Sequence, residues 1–511
     1  MLCKGLGKPI FLHSRLLHLA IPRYFVRPIT DNPDPAMPQP ASRRQFLKTL
    51  AASALVPAAF AALETHPSVL MIAIDDMNNW IGALGGQAKT PNIDRLAASG
   101  VLFTNAYCVV PACNPSRVAL MTGQRPETTG QFGNNGNFRD RPGGKERITL
   151  PQHCRAHGYE AVAAGKLYHN PRGGRKQANP LSDPASWDAQ RRGGIGTPGH
   201  KLYRTPEGLA RWHQGDLKMK YAADSLFWGP IPNKTEETQD WQTADYCADY
   251  LAKPHDKPFF LACGIFRPHS PQLAPQKYFD MYPLDDIKLP EVPEDDLGDV
   301  GPLFRRNWSS AVVEAMRKHG EWRKAVQGYL ACMTFADDCV GHVMQALERS
   351  PQRDSTIVVF WTDHGWHLGD KGKWEKFTLW HQSTNSPLAI QAPGVTKPGQ
   401  LCHRAVSFLD LYPTLIELCN LRPRQDLEGE SLLPLLRDPE APREIPAVIT
   451  MGKNNHAVVW EHWNYIHYRD GFEELYDHRT DPHEYTNIAG KPEVAPIVAR
   501  LRQSLPERVA R

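Results

Sequence analysis

The run Val69-Leu70-Met71-Ile72-Ala73-Ile74, closed by Asp75-Asp76, decides how the remainder of the chain is read. Its apolar side chains lack the polar alternation of a half-exposed strand, as in a central strand covered on both faces. Next, Thr90-Pro91-Asn92-Ile93-Asp94-Arg95-Leu96-Ala97-Ala98-Ser99-Gly100 carries the marks of a complete helix. Thr90 is the expected N-cap, Pro91 the first helical residue and Gly100 the stop. Residues 101–107 read as the following strand. This order predicts an α/β fold with a large, mostly parallel sheet flanked by helices.

Working outward, the alternation continues. Residues 159–164, 258–265 and 357–361 are strand-like runs. They lead into Gly165-Lys166-Leu167-Tyr168-His169, Phe266-Arg267-Pro268-His269-Ser270-Pro271 and Thr362-Asp363-His364-Gly365, respectively. Helical patterns cover 241–251 and about 321–349, and 403–421 supplies a further strand–helix pair. Residues 171–240 lack periodicity and are expected to form ordered loops lining a pocket. Past Glu440, short alternating runs at 446–451, 456–461, 463–468 and 473–476 predict a smaller antiparallel sheet, with a last helix near 492–504. The expected division is 67–440 for the main domain and 441–511 for a C-terminal subdomain.

At 511 residues the chain exceeds a single modest core, and 41% hydrophobic with 22% charged residues is ordinary for a globular enzyme. A net charge of +4, with no basic run and no zinc-finger spacing, gives no nucleic-acid partner. The 10 cysteines form no regular framework, and those in apolar runs, such as Cys263, read as small core residues.

Near the start, Ser42-Arg43-Arg44-Gln45-Phe46-Leu47-Lys48 resembles a twin-arginine export motif. An Ala-rich apolar stretch follows to Ala62, and Ala59-Phe60-Ala61 offers a small-residue cleavage site. Residues 37–62 are therefore expected to be an export signal, leading to a periplasmic or extracellular location. Residues 1–36 precede it as an extension, with Met37 a candidate start. The apolar run is too short, and too interrupted by Pro57, for a permanent membrane span.

The chemistry centres on Cys113-Asn114-Pro115-Ser116-Arg117-Val118-Ala119-Leu120-Met121-Thr122-Gly123-Gln124-Arg125. Proline has no N–H to leave unpaired, so Pro115 is expected at the first helical position, with Ser116 and Arg117 in the first turn. Cys113 then lies where a helix N-terminus favours an anion, with the Arg117 cation nearby. Asp75-Asp76 and Asp363-His364 follow strand-like runs, where ligands of open α/β sheets bind. Buried, they suit an oxygen-loving cation; either pair alone reads equally well as a loop or a helix cap. Lys166 and His169 would share a face on a helical turn. Lys371 and Lys373 are expected to be surface charges.

The Cys-x-Pro-Ser-Arg and Leu-Met-Thr-Gly segments resemble the signature of type I sulfatases, and the likeness extends from about Val69 to Asn487. Gly-Lys-x-x-His, Pro-His-x-Pro and Asp-His-Gly-Trp together are most similar to the iduronate-sulfatase branch. The resemblance implies an alkaline-phosphatase-like fold and hydrolysis of a sulfate ester of a sulfated carbohydrate. It implies oxidation of Cys113 to formylglycine by a formylglycine-generating enzyme, the hydrated aldehyde serving as nucleophile. Calcium, or magnesium, would be bound by Asp75, Asp76, Asp363, His364 and the modified Cys113. Arg117 would belong to the catalytic set, Lys166 and Lys376 would hold sulfate, His169 would be the base expelling it, and His269 would sit near the scissile oxygen. One departure is Thr384-Asn385-Ser386-Pro387, where relatives often carry an Arg, and it bears on sugar preference. The rival expectations are a phosphomonoester or phosphonate hydrolase of the same superfamily, and a silent sulfated-glycan-binding protein.

Overall fold

The computed structural model describes residues 66–169, 182–191, 226–305 and 308–507. The extension, the export signal and most of the 171–240 loop insertion lie outside them.

The main sheet is built from β1 (Ser68–Asp75), β2 (Val101–Phe103), β3 (Glu160–Gly165), β4 (Ala189–Arg191), β5 (Phe259–Pro268), β6 (Thr356–Thr362), β7 (Leu388–Gln391) and β8 (Gln400–Cys402). Their order is β8-β2-β7-β6-β1-β5-β3-β4, which puts the deciding strand β1 in the interior between β6 and β5. Neighbours pair in parallel except around β7, which runs against both β2 and β6.

Every residue of β1 is buried, as its unbroken apolar run requires. Val69, Met71 and Ala73 face one core and Leu70, Ile72 and Ile74 the other. The first core takes the helices α2 (Cys113–Thr122), α3 (Leu150–Ala156) and α6 (Leu411–Leu418). The second takes α1 (Pro91–Ala98), α4 (Gln239–Leu251) and α5 (Trp322–Arg349). The period-2 alternation of one strand thus fixes a helix–sheet–helix sandwich, each fully buried aliphatic contributing about 1.5–3 kcal/mol relative to exposure.

The expected C-terminal sheet is present as β9 (Ala447–Thr450), β10 (His456–Trp460), β11 (Trp463–His467) and β12 (Glu473–Asp477), paired antiparallel in sequence order. Ala447, Ile449, Ala457, Val459, Ile466 and Tyr476 join the first core. The opposite face packs Val448, Val458, Tyr465 and Leu475 on Val498 and Leu501 of α7 (Ala495–Arg502).

Three local expectations change. Helix α1 ends at Ala98 with Ser99 as its cap; Gly100 is required instead by close approach, since a Cβ there would lie 2.2 Å from the Ile390 carbonyl oxygen. Thr90 stands at the N-cap as expected, but its hydroxyl makes no bond to the first turn's N–H groups and instead accepts from the Gly82 N–H at 2.9 Å and donates to Asp94. The strand expected over 101–107 breaks after Phe103, and Ala106–Tyr107 pairs instead with Val406–Ser407.

Candidate active site

Parallel pairing brings four polar segments to one edge of the sheet. Ile74 of β1 is in register with Ile265 of β5 and Thr362 of β6, and Gly165 of β3 with Gly264 of β5. The chain beyond these positions supplies Asp75-Asp76, His269, Asp363-His364 and Lys166. The β1–β5 register slips after Ile74, so that Asp75 faces Pro268. Asp76 turns into the left-handed region at φ 65°, which costs free energy and directs its carboxylate away from the strand line.

Helix α2 enters from the first core with every residue buried. It starts at Cys113, so Pro115 is the third helical residue and not the first. The substitution of position is harmless because each of the first four helical N–H groups lacks an intrahelical partner. Arg117 is wholly buried, and its guanidinium ties three segments together. It donates through Nε to Asp363 Oδ2 at 2.9 Å, through Nη2 to Asp75 Oδ1 at 3.0 Å and through Nη1 to the Lys166 carbonyl at 2.7 Å. Its charge is therefore committed to the two carboxylates.

Around the Cys113 thiol, Lys376 Nζ lies at 3.0 Å, His364 Nε2 at 3.5 Å and Asp76 Oδ1 at 3.7 Å. Asp76 Oδ1 also accepts from Lys376 Nζ at 2.5 Å and lies 3.2 Å from His364 Nε2. The Asp76 N–H donates to Asp363 Oδ1 at 3.0 Å, and the Lys166 ammonium to Asp75 Oδ2. His269 Nε2 approaches Asp76 Oδ2 to 3.7 Å and Asp75 Oδ2 to 4.0 Å. His169 lies close enough to Cys113 for the two to act on one another's charge, although residues 166–169 are an irregular loop and not the helical turn expected. The ten residues with an expected catalytic or metal role thus gather at this one edge.

The charges act on one another strongly. Burial raises the Cys113 thiol, but the Lys166 and Lys376 ammoniums and hydrogen bonds from His169 and His269 outweigh it and hold the thiol well below its ordinary range. Burial pushes Asp363 up to about 7 against the pull of Arg117 and His364. Burial would lower His364, yet Asp363 beside it raises it to about 9. His169 is lowered, chiefly by burial.

Two overlapping donor groups result: Asp75, Asp76, Cys113 and His269, and Asp76, Cys113, Asp363 and His364. Within each, the donor atoms lie within 4.8 Å of one another. Asp76 Oδ2 is buried with no hydrogen-bond partner. An orphaned carboxylate oxygen amid further carboxylates and an imidazole is the donor set of a divalent cation, so the residues fit a metal.

Several contributors gave no sequence signal. Tyr329, an apparent core residue of α5, donates to the Asp76 carbonyl at 2.6 Å. Asp240 accepts the Phe266 and Arg267 N–H groups at 2.8 and 3.1 Å and so anchors the segment carrying His269. Lys371 and Lys373, expected at the surface, are buried. Lys371 Nζ donates to Asp296 at 2.8 Å and Lys373 Nζ to Ser310 at 2.6 Å, and both ammoniums lie over the Trp380 ring. Partners this distant in sequence cannot be read from a local lysine-rich stretch.

The sulfatase family profile matches residues 67–421, and that of the N-sulphoglucosamine sulphohydrolase C-terminal region matches 369–511. A sulfatase of Formosa agariphila is 37% identical over 460 residues, covering 86% of each chain. Human iduronate 2-sulfatase is 29% identical over 399 residues, covering 70% of this chain and 69% of its own. Among solved structures, the phosphonate monoester hydrolase of Agrobacterium radiobacter superposes with a TM-score of 0.68 at 23% identity, over 86% of this chain and 94% of its own. A protein in complex with its substrate D-glucosamine-2-N,6-O-disulfate superposes with a TM-score of 0.65 at 20% identity, over 86% and 96%. These two likenesses establish the alkaline-phosphatase-like fold. The chain belongs to the sulfatase family, as a type I member of its iduronate-sulfatase-like branch, and is a sulfuric ester hydrolase.

Proposed function

We propose that the enzyme removes sulfate from a sulfated sugar or a glycosaminoglycan-like fragment, with Cys113 acting as formylglycine. The observation that carries this reading is the buried Cys113 side chain set against Lys376 at 3.0 Å, His364 at 3.5 Å and the partly orphaned Asp76 at 3.7 Å. The name iduronate 2-sulfatase of one similar protein and the D-glucosamine-2-N,6-O-disulfate bound as substrate by another support the carbohydrate class.

In the proposed division of labour, Asp75, Asp76, Asp363 and His364 hold Ca²⁺ or Mg²⁺ together with the modified Cys113. The cation and the hydrated aldehyde supply charge neutralisation and the nucleophilic oxygen. Lys166 and Lys376 bind sulfate oxygens, each being close enough to the Cys113 side chain to act on its charge. His269 or Lys376 holds a proton for the departing sugar oxygen. His169, kept neutral by burial, accepts the proton whose removal releases sulfate. Arg117 keeps Asp75 and Asp363 in place.

We also propose maturation by a formylglycine-generating enzyme, export by the twin-arginine route to the periplasm or beyond, and division into 67–440 and 441–511. The Arg43-Arg44 motif supports the export route, and the separate four-stranded sheet supports the division. Among the described residues, no helix is long and apolar enough to cross a membrane.

The test is the mass of the tryptic peptide 96–117 from protein made in its own host. The expected peptide is lighter than the cysteine form and reacts with a hydrazide. Wholly unmodified Cys113, in a host that matures other sulfatases, would overturn the mechanism. Faster turnover of an aryl phosphate than of the matching aryl sulfate would favour the phosphoester reading.

A further inference from the structure

The segments that deliver His269 and Lys376 to the nucleophile also deliver buried polar groups that the scheme above leaves unused. Glu375, next to Lys376, is 1% exposed, and neither of its carboxylate oxygens has a hydrogen-bond partner. Gln272, three residues after His269, is fully buried with both ends of its amide unpartnered. Ser270, between them, is buried with its hydroxyl unpartnered.

Trp228 stands between the two segments. Gln272 is in register with Trp228, whose ring centre lies 6.5 Å from that of Trp374, the residue before Glu375. Gly328 of α5 packs directly against this pair, where a Cβ would be 2.6 Å from Trp228 Cβ and 3.2 Å from Gln272 Cβ, so Gln272 and Trp228 are held tightly against α5. Burial pushes Glu375 up to about 7, and the charges acting on it after that are those of Lys376, Asp76, His269 and Cys113, so its carboxyl belongs electrostatically to the site. Glu375 also sits at φ 74°, a strained conformation for a residue with a side chain.

Buried polar groups are almost always satisfied, because each one left unpaired costs about 1–3 kcal/mol; several at one place point to a partner from outside the chain. We propose that Glu375, seconded by Gln272, is a specificity-determining residue that hydrogen-bonds a free hydroxyl on the sugar ring, beside the sulfated position. This deepens the proposed function and rests on it. The placement follows from the company these groups keep. His269 and Lys376 are the groups proposed to serve the departing sugar oxygen, so their chain neighbours meet atoms one or two bonds beyond it. A carboxyl bonds a hydroxyl in either protonation state, accepting when ionised and donating when protonated, and when ionised it also repels a second sulfate or a uronate carboxylate at that place. An amide that can both donate and accept suits a neighbouring hydroxyl. The preferred substrate is then a sugar sulfate with a free vicinal hydroxyl facing Glu375.

The experiment uses the matured full-length enzyme and the nearly isosteric Glu375→Gln. The readout is the ratio of kcat/KM on a sugar sulfate to kcat/KM on 4-nitrophenyl sulfate, whose leaving group carries no hydroxyl. Monosulfated pentopyranoses and hexopyranoses are screened by sulfate release, and the one turned over fastest by the wild type is used. The ratio is expected to fall roughly ten- to a hundredfold, the size of one hydrogen bond to a charged group. The analogue lacking the vicinal hydroxyl should show the low ratio already in the wild type, with no further fall in the variant. Gln272→Leu carries the same expectation at smaller size and decides the matter if Glu375→Gln does not fold. An unchanged ratio, whether both rates fall together or neither does, overturns the proposal while leaving the sulfatase reading intact. No turnover of either substrate by the wild type with formylglycine present sinks both.

Discussion

Arg117 is the residue on which the others depend. Its guanidinium bonds Asp75, Asp363 and the Lys166 carbonyl in three directions with no exposed surface, a fan of donors that a single ammonium cannot reproduce. Removing one partner from a buried charge pair costs about 3–5 kcal/mol, because the remaining charge is stranded. Arg117→Ala is therefore expected to lower unfolding free energy by several kcal/mol, as read by urea titration, and to abolish activity. Arg117→Lys should recover only part of the stability. A variant as stable as the wild type would show the three contacts to be dispensable. The sequence announced Arg117 through its place in a long motif. It did not announce that the cation would be spent on carboxylates, since those lie 42 and 246 positions away.

At the scale of elements, the site is an alignment of strand ends, and the turns beyond them must clear one another. Gly165 has φ 76°, and a Cβ there would lie 1.9 Å from the Gly264 carbonyl oxygen. Gly165→Ala is expected to displace Lys166 from Asp75, lowering both the melting temperature and kcat/KM well beyond an ordinary surface substitution. Metal belongs to this scale too, because its proposed ligands come from the ends of β1 and β6 and the start of α2. Exhaustive chelation should remove activity and lower the melting temperature, and added calcium should restore both. Recovery with no metal added would sink the metal assignment. The strands themselves were legible in the sequence, because burial on both faces demands an uninterrupted apolar run. Their turns were less so: the segment after β3 was read as helical from the spacing of Lys166 and His169, whereas a left-handed glycine and a close-packed neighbour set its course.

For the whole molecule, buried histidines set a slope against acid. Burial, with His478 nearby, lowers His381 to about 3, and burial, with His467 nearby, lowers His456 to about 4. In the unfolded chain both would titrate near about 6.5. Below that value the unfolded state binds protons the folded state refuses, so stability is full above about pH 6.5 and falls as pH drops toward 4 and 3. Glu484 adds to the slope further down. Burial opposes its ionisation, but the hydrogen bond and charge of His478 hold it at about 2, so its contribution fades as pH falls from about 4.5 toward 2. Urea midpoints taken from pH 7 to pH 4 should decline steadily, and His381→Gln should flatten part of that decline. A flat profile would show that these side chains gain water before the fold is lost.

Helix α2 has one more consequence, and it concerns the order of events. Cys113 has no exposed surface, and all of its helix is interior. An enzyme acting on this thiol would have to reach it, and the finished fold leaves no surface of Cys113 to reach. The proposed conversion of Cys113 to formylglycine would then be a race against folding, decided before α2 is buried. Slowing the fold, by lower growth temperature or a mildly destabilising core substitution, should raise the converted fraction of peptide 96–117. Two preparations identical in sequence can then differ in activity solely by how quickly each was allowed to close.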